Sequence, residues 1–157
     1  CGYSKKRCKI LMKKIIKIFL YVFLLSNFVS ISLSEENFFN KGVKLFKEKK
    51  YDEAKFLFER SIVFNPKDSD SYLYLAKIYK SKEDKRNEEK NLDATLLIDP
   101  TNEEAILMLM KIGLEKSNYS KVKELSETFT KVCIKLCNEN KKILKDLESL
   151  EPKNNES

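Results

Sequence analysis

The sequence predicts an all-α fold, a helix-turn-helix solenoid of about three repeats closed by a C-terminal capping helix, and three observations lead to it. Asn65-Pro66 and Asp99-Pro100 lie 34 residues apart, each ending a short apolar run with a small residue five places before the proline, Ser61 in SIVFNP and Thr95 in TLLIDP. Within each period the apolar residues recur at helical spacing. The 157 residues are 42% hydrophobic with only three glycines and three prolines, which suits a helix-prone globular chain of one domain.

The formal charge of +7 would suit a nucleic-acid partner, so its location matters. Residues 1–34 hold seven bases (Lys5, Lys6, Arg7, Lys9, Lys13, Lys14 and Lys17) and no acid, which leaves 24 basic and 24 acidic residues in 35–157. The basic balance belongs to a leader, and no nucleic-acid partner is expected. From Met12 the chain reads as a short basic region, an apolar run from Ile18 to Leu25, and a polar stretch with small residues spaced for cleavage. That is the grammar of a secretory signal peptide, with Ser32-Leu33-Ser34 set to release Glu35. The competing reading is an uncleaved membrane anchor over residues 15–33, close to the roughly 20 residues that a spanning helix needs. Either way, the expectation is export to the cell envelope, periplasmic or extracytoplasmic, with the inner membrane as the anchoring site of an uncleaved form. Residues 1–11, upstream of Met12, read as an over-extended start.

The first repeat, residues 35–68, opens on Phe38, Lys41, Gly42 and Leu45, turns at Lys50-Tyr51-Asp52, and continues through Ala54, Phe58 and Ser61 to Pro66. Gly42 and Ala54 would let two helix backbones approach closely, with Phe58 filling the space beside them. The second, residues 69–102, has a regular first helix in Tyr72, Leu75, Ala76 and Tyr79, but Glu88 stands in the place of Ala54, which implies a more polar helix contact. Thr101-Asn102-Glu103-Glu104 reads as a capping box that starts the third repeat, residues 103–136. There Ile106, Leu109, Met110 and Gly113 precede Tyr119 and an apolar stripe at Val122, Leu125, Phe129, Val132 and Leu136. Ile143, Leu144, Leu147 and Leu150 mark an amphipathic capping helix over residues 138–150, and 151–157 is a polar tail.

A 34-residue helix-turn-helix period with the pattern Tyr72-x2-Leu75-Ala76-x2-Tyr79, then Ala54-x3-Phe58 and a closing proline, resembles the tetratricopeptide repeat family. Tyr51-Asp52-Glu53-Ala54 is the most family-like tetrapeptide. The resemblance implies that the first helices of successive repeats line a concave groove that receives a segment of another protein. Carried over by register, the groove places are Phe39 and Val43, Leu73 and Lys77, and Leu107 and Lys111. Chaperone-binding members clamp a C-terminal carboxylate with lysines and asparagines, whereas Phe39 and Val43 occupy the first two clamp places here. The resemblance therefore implies an apolar floor with two lysines, suited to a partner peptide or amphipathic helix. The alternative is that these side chains are simply core.

No chemistry stands out beside this. The chain has no histidine, so the commonest general base and metal ligand is missing. Glu35-Glu36, Glu88-Glu89 and Glu103-Glu104 are sequence neighbours that would point apart on a helix, and they read as solvated faces or helix-start charges. Cys133 and Cys137 sit four apart on what reads as one helix, where Cβ atoms are about 5–6 Å apart. A disulfide wants about 3.8 Å, so they read as core or half-buried thiols, not as a bridge or metal ligands. No catalytic residue, metal or cofactor is expected. The leading expectation is a non-catalytic interaction module of the cell envelope, a scaffold or assembly factor. A membrane-tethered structural subunit is the alternative, and a thiol-dependent enzyme would rest on Cys133 and Cys137 alone.

Overall fold

The computed structural model describes residues 38–150 together with Lys14 and Lys17. Apart from those two lysines, residues 1–37 and 151–157, and with them the readings of the leader and the polar tail, lie outside the described residues. What is described folds as seven helices with no strand: α1 (residues 38–47), α2 (Tyr51–Phe64), α3 (Ser69–Ser81), α4 (Lys85–Ile98), α5 (Glu103–Glu115), α6 (Tyr119–Val132) and α7 (Cys137–Leu150). Each helix from α2 onward packs on the next, and α7 also reaches back to α5. None of the described helices is long and apolar enough to cross a membrane.

The period is written into the turns. Among the described residues Lys49, Glu83 and Ser117, at 34-residue intervals, are the non-glycine residues with positive φ, at 60°, 59° and 54°. Each lets the next amide reach back over the helix end, with Lys50 N–H donating to Leu45 O, Asp84 to Tyr79 O and Asn118 to Gly113 O. These are Schellman-type endings, which satisfy carbonyls that a helix leaves unpaired. The first turn thus spans residues 48–50, and Tyr51 and Asp52, expected within it, already belong to α2. The second helices follow from caps: Asp84 accepts from Asn87 N–H at 3.1 Å and Asn118 from Lys121 N–H at 3.3 Å. At the third repeat the expected capping box is corrected. Asn102 is the N-cap and accepts from Ala105 N–H at 3.1 Å, while Thr101, one residue too early, turns its hydroxyl to Asp99 at 2.7 Å.

In the first and third repeats the two helices approach until only hydrogen fits between them. A Cβ on Gly42 would lie 2.8 Å from Phe58 Cε1, and one on Gly113 2.7 Å from Val122 Cγ2. Phe58 is fully buried and stacks on Tyr74 of the next repeat, with ring centroids 5.0 Å apart. One cluster gathers around Phe58, a second around Leu73, Leu92 and Leu109, and a third around Ile106, Phe129, Ile143 and Leu147. Ion pairs tie neighbouring repeats together at the surface, including Lys85 to Glu115 at 2.8 Å and Lys121 to Glu89 at 3.2 Å.

Glu88 corrects the reading of the acid pairs as solvated. It takes the register of Ala54 and Val122, faces the repeat interior, and is 1% exposed, while its neighbour Glu89 turns outward to Lys116 and Lys121. Glu88 Oε2 has no hydrogen-bond partner among the described residues. Only the amine of half-exposed Lys85 lies near, at 3.5 Å, and that amine also serves Glu115. A buried carboxyl oxygen left without a hydrogen bond is costly. Glu88→Leu, of similar volume, is expected to raise the unfolding free energy by about 1–2 kcal/mol. Urea denaturation checks it, and a less stable variant would show that the carboxylate makes a net favourable contact.

Candidate partner-binding groove

Three of the six predicted groove residues come together. Lys77 and Lys80 from α3, Glu104, Leu107, Met108 and Lys111 from α5, Leu136 from the α6–α7 connection and Glu139 from α7 surround a cavity of about 460 Å³. Lys77, Leu107 and Lys111 were expected there from the 34-residue register. Leu73 is instead 5% exposed and packs in the second cluster with Ala105 and Met108. Phe39 and Val43 are half-buried in the first cluster, where the Phe39 ring meets Phe58 and Tyr74 at centroid distances of 5.8 and 5.7 Å. Leu107 itself is only 5% exposed, so its outer edge floors the cavity while its body belongs to the core. A second cavity, also about 460 Å³, lies beside α2 among Leu45, Asp52, Glu53, Phe56 and Leu57 and contains none of the predicted residues.

The cavity wall is ordered by charge. Lys77 donates to Glu104 Oε2 at 2.8 Å and sits 4.7 Å from the Tyr74 ring centroid, so its position is held from two sides. Across the cavity Glu139 accepts from Lys142 at 2.7 Å, and this hydrogen bond, helped by the charges of Lys142 and Lys111, holds its carboxyl below the usual range. Lys80 and Lys111 make no ion pair within 4 Å among the described residues, which leaves two ammonium groups at the rim of an apolar floor.

Lys80, Glu104 and Met108 were legible in principle, because each lies three or four places from a predicted residue and hence on the same helix face. Leu136 and Glu139 were not. They reach the cavity because α6 stops at Val132 and the chain turns through residues 133–136 before α7 begins. That break also corrects the reading of the cysteines. Cys133 caps α6 in an extended conformation and Cys137 opens α7, so they do not share a helix. Their Cα atoms lie 5.4 Å apart and the sulfurs are bonded. Glu103, read as a helix-start charge, accepts the three successive amides between them: Ile134 at 2.9 Å, Lys135 at 3.1 Å and Leu136 at 2.6 Å. The Leu136 amide, followed by those of Ile134 and Lys135, lowers its carboxyl below the ordinary value. Among the described residues no group of acids and cysteines is arranged to hold a metal ion.

No protein-family model and no curated protein matches the chain. Solved structures do. The chain is similar to the Yersinia enterocolitica type III secretion chaperone SycD in complex with a peptide of the translocator YopD, with a TM-score of 0.64 at 13% identity over 73% of this chain and 90% of that one. It is similar to the first TPR of Spaghetti (RPAP3) bound to the HSP90 peptide SRMEEVD, with a TM-score of 0.61 at 19% identity over 73% and 93%. The Sgt2 TPR domain from Aspergillus fumigatus matches with a TM-score of 0.62 at 14% identity over 79% and 88%. At these identities the likeness concerns the fold, and with the 34-residue recurrence of turns and close helix contacts it establishes that this chain has a tetratricopeptide-repeat-like, all-α solenoid fold.

Proposed function

We propose that the protein is a non-catalytic interaction module that takes a segment of a partner protein, a peptide or an amphipathic helix, into the cavity between α3, α5 and the start of α7. The observation that carries this is the make-up of that cavity: a floor of Leu107, Met108 and Leu136, the carboxylates of Glu104 and Glu139 held by Lys77 and Lys142, and the amines of Lys80 and Lys111, neither in an ion pair within 4 Å among the described residues. An apolar anchor followed by an acidic group on the incoming segment would satisfy the floor and those amines. That two structures of similar fold hold peptides supports the same reading. The basic-then-apolar order of residues 12–34 supports export to the cell envelope, where the module would act as a scaffold or assembly factor, and the mass of the native N-terminus tests the export. A terminus at Glu35 fits a cleaved, exported module; retention of Met12 would favour the tethered subunit.

The groove is tested by selecting peptides from a displayed random library on the full chain and measuring their affinity for Lys80→Glu/Lys111→Glu. Both side chains are exposed, so the melting temperature is expected to stay near the parent's. Affinity is expected to fall at least about tenfold, because two charges facing the ligand are reversed. Peptides that bind parent and variant equally would place the interaction elsewhere.

A further inference from the structure

The connection between α6 and α7 is built unlike the other turns. It contains no glycine or proline, and no residue in it has positive φ. The apolar stripe of α6, Val122, Leu125, Phe129 and Val132, continues in helical register to Leu136, so residues 133–136 are compatible by sequence with one uninterrupted helix. A helix holds Cβ atoms four residues apart at about 5–6 Å, which is too far for a bridge at about 3.8 Å. The bond between Cys133 and Cys137 and a continuous helix therefore exclude each other.

With the bond formed, α6 ends at Val132, and the five-residue ring points three consecutive amides at Glu103, at the start of α5. The side chains of the ring contribute little to holding it: Ile134 is 85% exposed and Lys135 is also in solvent. The amide array and the disulfide thus set where Leu136 and Glu139 stand, and both line the cavity. Cys137 is exposed and Cys133 half-buried, so one sulfur is open to attack from solvent.

We propose that the Cys133–Cys137 disulfide is a redox clasp that fixes the α7 wall of the groove, and that a dithiol reductant opens it. One thiolate of the reductant attacks the Cys137 sulfur, forming a mixed disulfide and releasing Cys133 as a thiolate that takes a proton from water. The second thiol of the reductant then attacks its own sulfur in that mixed disulfide and frees Cys137 as a thiol. Two electrons and two protons pass from the dithiol to the protein, and the reductant leaves as its cyclic disulfide. In the reduced chain residues 133–136 are released from the ring geometry, and their amides leave Glu103 and open to water more often. What still holds α7 is the packing of Ile143 and Leu147 and the buried link from Ser126 to Asn140 at 2.9 Å. The clasp thereby sets the rigidity of the wall against which a partner segment is held; this consequence rests on the groove reading above.

The test compares the full chain as purified under air, the same chain reduced with dithiothreitol, and Cys133→Ser/Cys137→Ser. Alkylation counts the free thiols at 133 and 137. Amide hydrogen exchange follows Ile134, Lys135, Leu136 and α7, with α3 as the internal control. Closing a short ring removes enough unfolded-chain entropy that exchange at residues 134–136 is expected to speed up by more than about tenfold on reduction and in the double serine variant, with α3 unchanged. Peptides selected on the oxidised chain are expected to bind the reduced chain and the double variant several-fold more weakly. Free thiols in the air-purified chain, equal exchange in all three forms, or faster exchange with unchanged peptide affinity would each overturn the proposal. If no peptide can be selected at all, the groove reading fails, and the clasp stands or falls on exchange alone.

Discussion

Phe58→Ala is expected to cost about 3–5 kcal/mol of unfolding free energy, the range for truncating a buried phenylalanine that its surroundings cannot collapse around. Those surroundings cannot collapse here. One face of the ring lies against the α1 backbone at Gly42, where even a methyl group would stand 2.8 Å away. The other stacks on Tyr74 across the repeat boundary, and Phe39 meets the ring at a tilt. Because Tyr74 also meets Phe39 and Phe46, the cavity would loosen α1, α2 and α3 together. Phe39→Ala, at a half-buried position, is expected to cost clearly less. Urea denaturation of the two variants side by side checks this, and equal losses would mean that Phe39 is as much a part of the core as Phe58.

Ending the chain after Leu136 is expected to be at least as damaging, because α7 closes the third cluster. Ile143 and Leu147, each 3% exposed, cover Ile106, Met110 and Phe129. Losing two buried aliphatic side chains at about 2–5 kcal/mol each would remove much of the roughly 5–15 kcal/mol that holds a domain of this size together. Ser126 would lose its buried partner Asn140 as well, and a fully apolar stretch of α5 would face water. The shortened chain is expected to melt far below the parent or to precipitate, as a solenoid does when its terminal cap is removed. A thermal midpoint within a few degrees of the parent's would show that α7 is dispensable.

The helices and their period were legible because apolar spacing is local and recurs every 34 residues. The first turn and the third repeat's cap were each misplaced by a residue or two, because neighbouring polar side chains compete for the same role. The structure added the caps Asp84 and Asn118 and the reversals at residues 49, 83 and 117, which the apolar period brackets without naming. Gly42 and Phe58 announced a close helix contact because a missing side chain and a large one at that separation have few other uses. Glu88 was half legible: its register marked a polar contact, but whether the carboxylate reached solvent depended on how closely α3 and α4 pack. Among the groove residues, Lys77 and Lys111 followed from register, since a charged residue on the first helix's open face has little alternative to solvent. Leu73 and Leu107 were ambiguous for the opposite reason. An apolar side chain on that face is equally at home under the next helix, and both are buried there.

The sequence by itself determined the all-α class, the 34-residue repeat and the pairing of helices, because each depends on hydrophobic period and side-chain size within one or two neighbouring units. Only the tertiary structure decided that α6 breaks at Val132, that Cys133 and Cys137 meet, and that Leu136 and Glu139 complete a cavity begun by α3 and α5. The local signal from residue 122 to 136 favours one continuous helix. It is overridden by Glu103, more than thirty residues away, which collects three amides, and by the burial of Ile143 and Leu147 when α7 folds back. Such gains exist only once distant segments are in contact, and so no local pattern announces them.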